Sequence, residues 1–476
     1  MKNIFNNLKR IIGISLVLFT ISSCEDFLNP EPTSATSGET FFKTKADFDL
    51  AIQNMYDGIA GLNSTQSNDN HALQVEFYVT EMRSDNTETK ASEGEAAQFE
   101  NYTLESTNGI VDDYYRSYYD VIFRANTILD NAAVLATPEP YEAEAKFVRA
   151  YAYFNLVRLF GEIPLVDRVI GISDTDIQFT RVAVSEIYSL IENDLLTSIS
   201  GLDNTYQNRA SKAAAQTLLA KVYLTQGINY LDAQTLCESV MSSGFTLESN
   251  FKNIFYNELN NEIIFAISYV SDNSADSQNF SAEWLNAVGR TSGVNYVTAD
   301  AALFLDANGG DRTMYSYRID SGQPTKKQVV KYLPNGDTGL GIAATSSNPV
   351  LAGNDWIVLR YADVLLLHAE AILAGGNTTT AQAALNSFQL VRDRAGLTTP
   401  VTEITRQSLL DERRAELVFE NHRFFDLVRF GEAQNVLSAF STATGGSFNA
   451  TDLLLPIPQR EINLSLGQLN QNQGYN

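Results

Sequence analysis

At 476 residues with 57 acidic against 33 basic side chains, the chain has a net charge of −24, and so negative a field makes nucleic acid a poor partner. Two cysteines exclude a disulfide-built scaffold. The length admits two or three ordinary domains or one large helical array.

Lys2, Lys9 and Arg10 precede an apolar run from Ile11 to Ile21 that breaks into small residues, which predicts a secretory signal peptide over 1–23. The run is about half the ~20 residues a bilayer-spanning helix requires, and no later stretch is apolar for that long, so no transmembrane helix is predicted. The cleavage region Ile21-Ser22-Ser23-Cys24 resembles the lipobox of bacterial lipoproteins, which predicts lipidation of Cys24; a disulfide with Cys237 is the competing use. Acyl chains at ~0.8 kcal/mol per buried methylene hold such a protein on a membrane. Glu25 and Asp26 follow at once and resemble the surface-export signal of Bacteroidota lipoproteins, which implies an outer-membrane anchor facing the cell exterior. Loss of the signal removes three positive charges and no negative ones, leaving about −27.

From Glu25 to about Thr40 the chain is rich in Pro, Ser and Thr, and Asn29-Pro30-Glu31-Pro32 cannot continue a helix, so 24–40 is expected to be a tether and the folded body to begin near Phe41. Helical periodicity then covers 45–62, 111–135, 141–160, 184–199, 209–226 and 233–242. A second helical block covers 356–373, 379–394, 405–420 and a short piece to Arg429. The interval of about 245–355 is loop-rich, with strand candidates at 262–269 and 327–332. The expected architecture is therefore mainly α, a helical scaffold over about 41–244 and 356–476 that displays an irregular, minor-β insertion.

Two helix pairs carry the logic of tetratricopeptide-type hairpins, with small residues at the crossing and a glycine break between helices. In one, Ala220 and Tyr223 precede Gly227 and Ala233; in the other, Ala369 precedes Gly375-Gly376, Ala381 and Ala384. Generic antiparallel packing accounts for the same residues.

Together, several stretches resemble the SusD/RagB family of surface glycan-binding lipoproteins. They are Ser23-Cys24-Glu25-Asp26-Phe27-Leu28, AEAKFVRAYAYFNLVRLFGEIPLV (143–166), LRYADVLLLHAEAIL (359–373), LVRDRAGL (390–397), DERRAELVFENHRFFDLVRFG (411–431) and LLLPIPQREI (453–462), with Gln471-Asn472-Gln473-Gly474-Tyr475 near the end. The resemblance implies a helical core of four tetratricopeptide-like units in a single SusD-like domain over 41–476. It also implies a non-catalytic role, capturing oligosaccharide or polysaccharide for a SusC-like TonB-dependent transporter over which the lipoprotein acts as a lid. The net charge favours a neutral saccharide. A transporter-gating or peptide-uptake module with little glycan affinity is the alternative, and a surface hydrolase ranks last.

The cluster Asp411, Glu412, Arg413, Arg414, Glu416, Glu420, His422, Arg423, Asp426 and Arg429 could suggest acid–base chemistry, but interleaved Leu417, Phe419, Phe424, Phe425 and Leu427 make it a helix junction. Pairing of Arg413 with Glu416, or Arg414 with Glu420, is expected there. The three histidines at 71, 368 and 422 form no HExxH, and neither a Walker A nor a GxSxG motif occurs. His368, within an apolar helix, is expected to be a packed, hydrogen-bonded residue. Asp306-Ala307-Asn308-Gly309-Gly310-Asp311 begins like a calcium loop but lacks the sixth-position glycine and the twelfth-position glutamate, which excludes an EF-hand and leaves an irregular cation site open. No cofactor or metal is assigned.

A sugar site needs flat apolar faces flanked by groups that read hydroxyls. Two loops have that composition. The first offers Arg83, Asp85, Asn86, Phe99 and Tyr102 after Glu76 and Phe77; the second offers Trp284, Asn286, Arg290, Asn295 and Tyr296, with Arg312, Tyr315 and Tyr317 beyond. Trp284 and Tyr296 are the expected stacking platforms, because Trp356 opens an apolar segment and belongs to the core.

Overall fold

The computed structural model describes residues 41–475 apart from 91, 172, 286–292 and 320–323; the signal peptide, Cys24 and the tether lie outside the described residues. Its frame is a series of helices: α1 (Lys45–Ala60), α2 (Gly109–Asn131), α3 (Glu139–Phe160), α4 (Val184–Gly201), α5 (Lys212–Gln226), α6 (Tyr230–Met241), α7 (Tyr361–Leu373) and α8 (Gln382–Arg394). Each packs chiefly on its neighbours in that series. The result is an array of helical hairpins, α1/α2, α3/α4, α5/α6 and α7/α8. Because α6 packs directly on α7, the long interval between them leaves the stack and returns without interrupting it.

Local chemistry sets the helix ends. The Asn108 side chain accepts from the Ile110 and Val111 N–H groups to open α2, and Ser211 accepts from Ala214 to open α5. Gly227 closes α5 in the left-handed conformation, φ 67°. Ala220, Ala233, Ala369 and Ala384 are all fully buried, the close approach that small residues allow between paired helices. α3 is buried around most of its circumference, which explains why its sequence is apolar without one clear stripe. Three further helices finish the frame, α9 (Arg406–Leu417), α10 (Arg423–Arg429) and α11 (Ala433–Thr444).

The strands are short, and those that bear on the site are β1 (Thr87–Glu88), β2 (Ile263–Ile267), β3 (Tyr296–Val297), β4 (Tyr317–Ile319), β5 (Lys327–Val329) and β6 (Trp356–Arg360). β1, β3, β5 and β4 form a four-stranded antiparallel sheet in that order. β2 pairs antiparallel with β6, Ile263 opposite Arg360 and Ile267 opposite Trp356. This corrects the helix expected from Trp356: the β-branched pair Ile357-Val358 extends against β2, and α7 begins only at Tyr361. Trp356 is nonetheless buried, as expected.

One apolar core runs from Phe42 to Ile457 and takes in Trp284, Val297 and Tyr332 from the middle interval, so the insertion shares the core of the helical frame. Among the described residues no helix is long and apolar enough to cross a membrane.

α1 ends at Gly61 with φ 69° and ψ 161°, a backbone region that side-chain-bearing residues avoid, and a Cβ there would lie 2.0 Å from the His71 carbonyl oxygen. Gly61→Ala is expected to lower the unfolding free energy by about 2 kcal/mol or more, measured by urea titration; an unchanged midpoint would show that the turn relaxes freely.

Candidate functional site

The four-stranded sheet brings together the two loops selected by composition. Thr87 lies opposite Val297 and Glu88 opposite Tyr296, while Thr298 donates to the Asn86 carbonyl at 3.0 Å and its hydroxyl to the Asp85 carbonyl at 3.1 Å. Tyr296 sits at this seam. Its hydroxyl donates to the Thr89 carbonyl at 3.2 Å, and the Lys326 ammonium lies 3.7 Å from its ring centroid. Glu100, which accepts from the Thr89 N–H at 2.6 Å, is pushed up to about 7 by burial, and burial raises Glu88 as well. Half-buried Tyr78 extends the seam, its ring 4.1 Å from Phe77 and 6.2 Å from Phe99.

The individual side chains do not stand where a sugar platform requires them. Trp284 is 1% exposed and packs among Phe77, Phe419 and Tyr332, with ring centroids 5.6, 6.0 and 6.3 Å away. It is a core residue. The reason is its placement directly after the short buried helix Phe280–Glu283, which turns the ring inward onto an aromatic cluster. Tyr296, at 4% exposed, has no open face either, since the sheet and Lys326 cover it.

The first loop is likewise part of the frame. Arg83 is fully buried, stacks 4.1 Å from the Phe424 centroid and donates to the carbonyls of Val79 and Asp452. Tyr102 donates to the Arg83 carbonyl at 2.9 Å, and Phe99 is enclosed by core. Asp85 takes two hydrogen bonds from Arg423, at 2.8 and 2.9 Å, and an ion pair from Arg414 at 3.1 Å. Burial opposes its charge, but these two guanidiniums hold the carboxyl well below the usual range. Asn86 donates to Glu81 and accepts from Arg414. Asn286 and Arg290 lie outside the described residues.

Sequence reasoning missed Glu88, Glu100, Lys326 and Tyr78. Their only signal was proximity to the chosen loops, since strands of two or three residues are too short to register as a period.

Comparison with known proteins decides the family. The SusD family model matches residues 325–475, and a second, described as starch-binding associating with outer membrane, matches 26–224. The chain belongs to the SusD family. It is 27% identical to SusD-like protein P2 of Formosa agariphila, covering 98% of this chain and 99% of that one. It is 24% identical to the starch-binding protein SusD of Bacteroides thetaiotaomicron, over 76% of this chain and 78% of the relative. A solved laminarin-binding SusD-like protein superposes with a TM-score of 0.74 at 25% identity, covering 91% of this chain and all of that one.

In this SusD-family chain the charged C-terminal motif is a buried lattice. Glu416 accepts from Arg312 at 2.8 Å, Arg360 at 2.5 Å and Arg394; Glu420 accepts from Arg360 at 2.7 and 2.8 Å and from Lys331 at 2.5 Å. Glu262 completes it, facing Arg360 at 2.9 Å and Arg394 at 3.1 Å. The expected pairs are replaced by tertiary ones. Arg413 bridges Asp363 and Asp426, and Arg414 reaches Asp85 and Asp300, because successive side chains of α9 face different neighbouring elements. Burial raises Asp426, but Arg413 and Arg429 draw it down to about 2. His422 is held down to about 3 by burial and by the Lys221 charge beside it. His368 is packed and bonded as expected, its Nδ1 2.8 Å from the Ser387 hydroxyl. Among the described residues no group of His, Cys, Asp and Glu is arranged to hold a metal.

Arg360→Met leaves Glu262, Glu416 and Glu420 short of their shared cation. The expected loss is ~3–5 kcal/mol of unfolding free energy by denaturant titration; a loss below that of a surface substitution would show the lattice to be dispensable.

Glu81 supplies a pH test. Its carboxyl is pushed up to about 7 by burial, one oxygen accepting from Asn86 and the other lacking a partner among the described residues. Between about 4.5, its ordinary value, and 7 the folded state keeps the proton longer than the unfolded chain, so this group costs stability as pH rises through that window. Glu81→Gln removes the cost. The variant should melt above the wild type at pH 8 and together with it at pH 4.5; a constant offset at both values would exclude the titration.

Proposed function

We propose that this chain is an outer-surface lipoprotein, lipidated at Cys24, that captures oligosaccharide or polysaccharide and passes it to a SusC-like TonB-dependent transporter. Residues 1–23 are the removed signal, 24–40 the tether, and 41–476 one body whose irregular 245–355 interval carries the ligand region. The observation that carries the reading is end-to-end likeness to a laminarin-binding SusD-like protein, at 25% identity and TM-score 0.74. The starch-binding relative points to the same ligand class. A neutral saccharide fits a chain of net charge −24 best.

The reading is of a binder and not of an enzyme. Two carboxylates facing one sugar bond are the usual machinery of glycoside hydrolysis, and the acids of the C-terminal motif are instead engaged by arginines inside the body. The sugar contacts are assigned to Asn286 and Arg290, which lie in sequence between Trp284 and Tyr296; at the seam itself Tyr78, Glu88 and Lys326 keep partial exposure. Trp284 and Tyr296 support that seam from beneath.

Burial of Arg83, Asp85, Asn86, Phe99, Tyr102, Trp284, Asn295 and Tyr296 favours a second reading, a module that gates the transporter and has little sugar affinity of its own. Calorimetry against laminarin, starch and xyloglucan oligosaccharides separates the two. The first reading expects binding to at least one, weakened about tenfold (~1.4 kcal/mol) in Arg290→Ala with an unchanged melting curve. Capture of a transporter from solubilised outer membrane without any saccharide binding would favour the second.

A further inference from the structure

Away from the seam, a cavity of about 210 Å³ lies at the start of α9, where the α5/α6 turn at Gly227 and the α7/α8 turn at Gly375 face Arg406 and Phe430. Drug-sized sites run to ~300–1,000 Å³, so this one has room for a single ring. It is separate from the seam: Arg414, which ties the seam to α9, stands ~12 Å further along that helix.

The two turns come together over a tyrosine. Gly227 and Gly375 have φ 67° and 73°, and a Cβ on them would stand 3.4 and 2.8 Å from the Tyr230 hydroxyl. Glycine at both positions therefore lets the half-buried Tyr230 ring lie along bare backbone. Leu224, Leu373 and the Phe430 ring complete an apolar lining beside it.

The polar groups of the wall are incompletely met. Among the described residues the Tyr230 hydroxyl has no hydrogen-bond partner. Arg406 donates through Nε, at 3.2 Å, and Nη2 to the Phe430 carbonyl; Nη1 has no partner and no acid lies within ion-pair distance among the described residues. Acceptors face these donors. The capping bonds of α5 go to the Tyr223 and Leu224 carbonyls, which leaves those of Thr225 and Gln226 without a donor among the described residues.

Charge then selects the ligand class. Glu370 and Arg429, also in the wall, satisfy one another at 2.6 and 3.0 Å. Arg406 shares the cavity with the carbonyl ends of α5 and α7, each equivalent to roughly −0.5 charge, so its positive charge is largely offset and a carboxylate gains little there. What fits is a neutral ring with an apolar face and with hydroxyls that both donate and accept.

We propose that this cavity is a second saccharide site that holds one neutral sugar unit. The C–H face of the sugar lies on Tyr230; its hydroxyls donate to the Thr225 and Gln226 carbonyls and accept from Arg406 and Tyr230. The ligand class rests on the saccharide reading given above, while the position of the site does not.

Hydrogen exchange on the full-length protein, extracted in detergent, tests it with maltose, laminaribiose and cellobiose as neutral probes and glucuronate as the anionic one. At least one neutral probe is expected to slow the amides of 225–230 and 374–377 about threefold or more. Tyr230→Phe, which removes a hydroxyl that bonds to nothing in the fold, should weaken that protection about fivefold at an unchanged melting curve, and Arg406→Met should abolish it. Undiminished protection in both variants overturns the proposal, as does protection by glucuronate in place of the neutral sugars. Calorimetric binding with no protection at these turns overturns this site and leaves the saccharide reading standing; no binding by either measurement overturns both.

Discussion

The burial of Arg360 organises this molecule. Its guanidinium, 2% exposed, reaches Glu262, Glu416 and Glu420, and these come from the turn leading into β2, from α9 and from the turn after α9. A buried guanidinium is tolerated only when its donors are met in place. Every element that supplies a carboxylate is therefore fixed relative to β6, and Arg312, Lys331 and Arg394 must converge to balance the acids so gathered. One ion thereby ties the middle interval, the second helical block and the C-terminal motif into one object.

The same requirement bends the chain. Between α9 and α10, Phe419 and Asn421 both adopt positive φ, 64° and 61°. The Phe419 carbonyl accepts from Tyr332 and the Asn421 amide donates to buried Glu76. The turn is strained where it delivers Glu420 inward, and the surrounding hydrogen bonds hold it there. A second ion set, Lys221, Asp363, Arg413 and Asp426, continues from this turn into the helical array and joins α5, α7, α9 and α10.

How far the sequence discloses this follows from the range of each interaction. Helices α1 to α8 were legible because their apolar periodicity and their caps are local, as at Asn108 and Ser211. The segment at Trp356 misled because four apolar residues before a helix look helical until a partner strand, β2, is known. Arg83, Asp85 and Asn86 have the composition of a sugar-reading loop and the role of a frame, and only partners more than 300 residues away, Arg414, Arg423 and Asp452, distinguish the two. Trp284 failed for the same reason: an aromatic ring is equally suited to stack on a pyranose or to fill a core, and exposure is a tertiary property.

This division constrains where selectivity can reside. The two loops are joined by β1 and β3 and locked below by Asp85, Arg414 and Arg423, so their inner residues cannot change without disturbing the ion lattice. Freedom to vary lies above that layer, in Tyr78, Glu88 and Lys326, whose side chains owe nothing to Arg360. A frame this rigid supports an exchangeable rim, and a saccharide read there, as proposed, would be held by several modest contacts, not by one deep pocket.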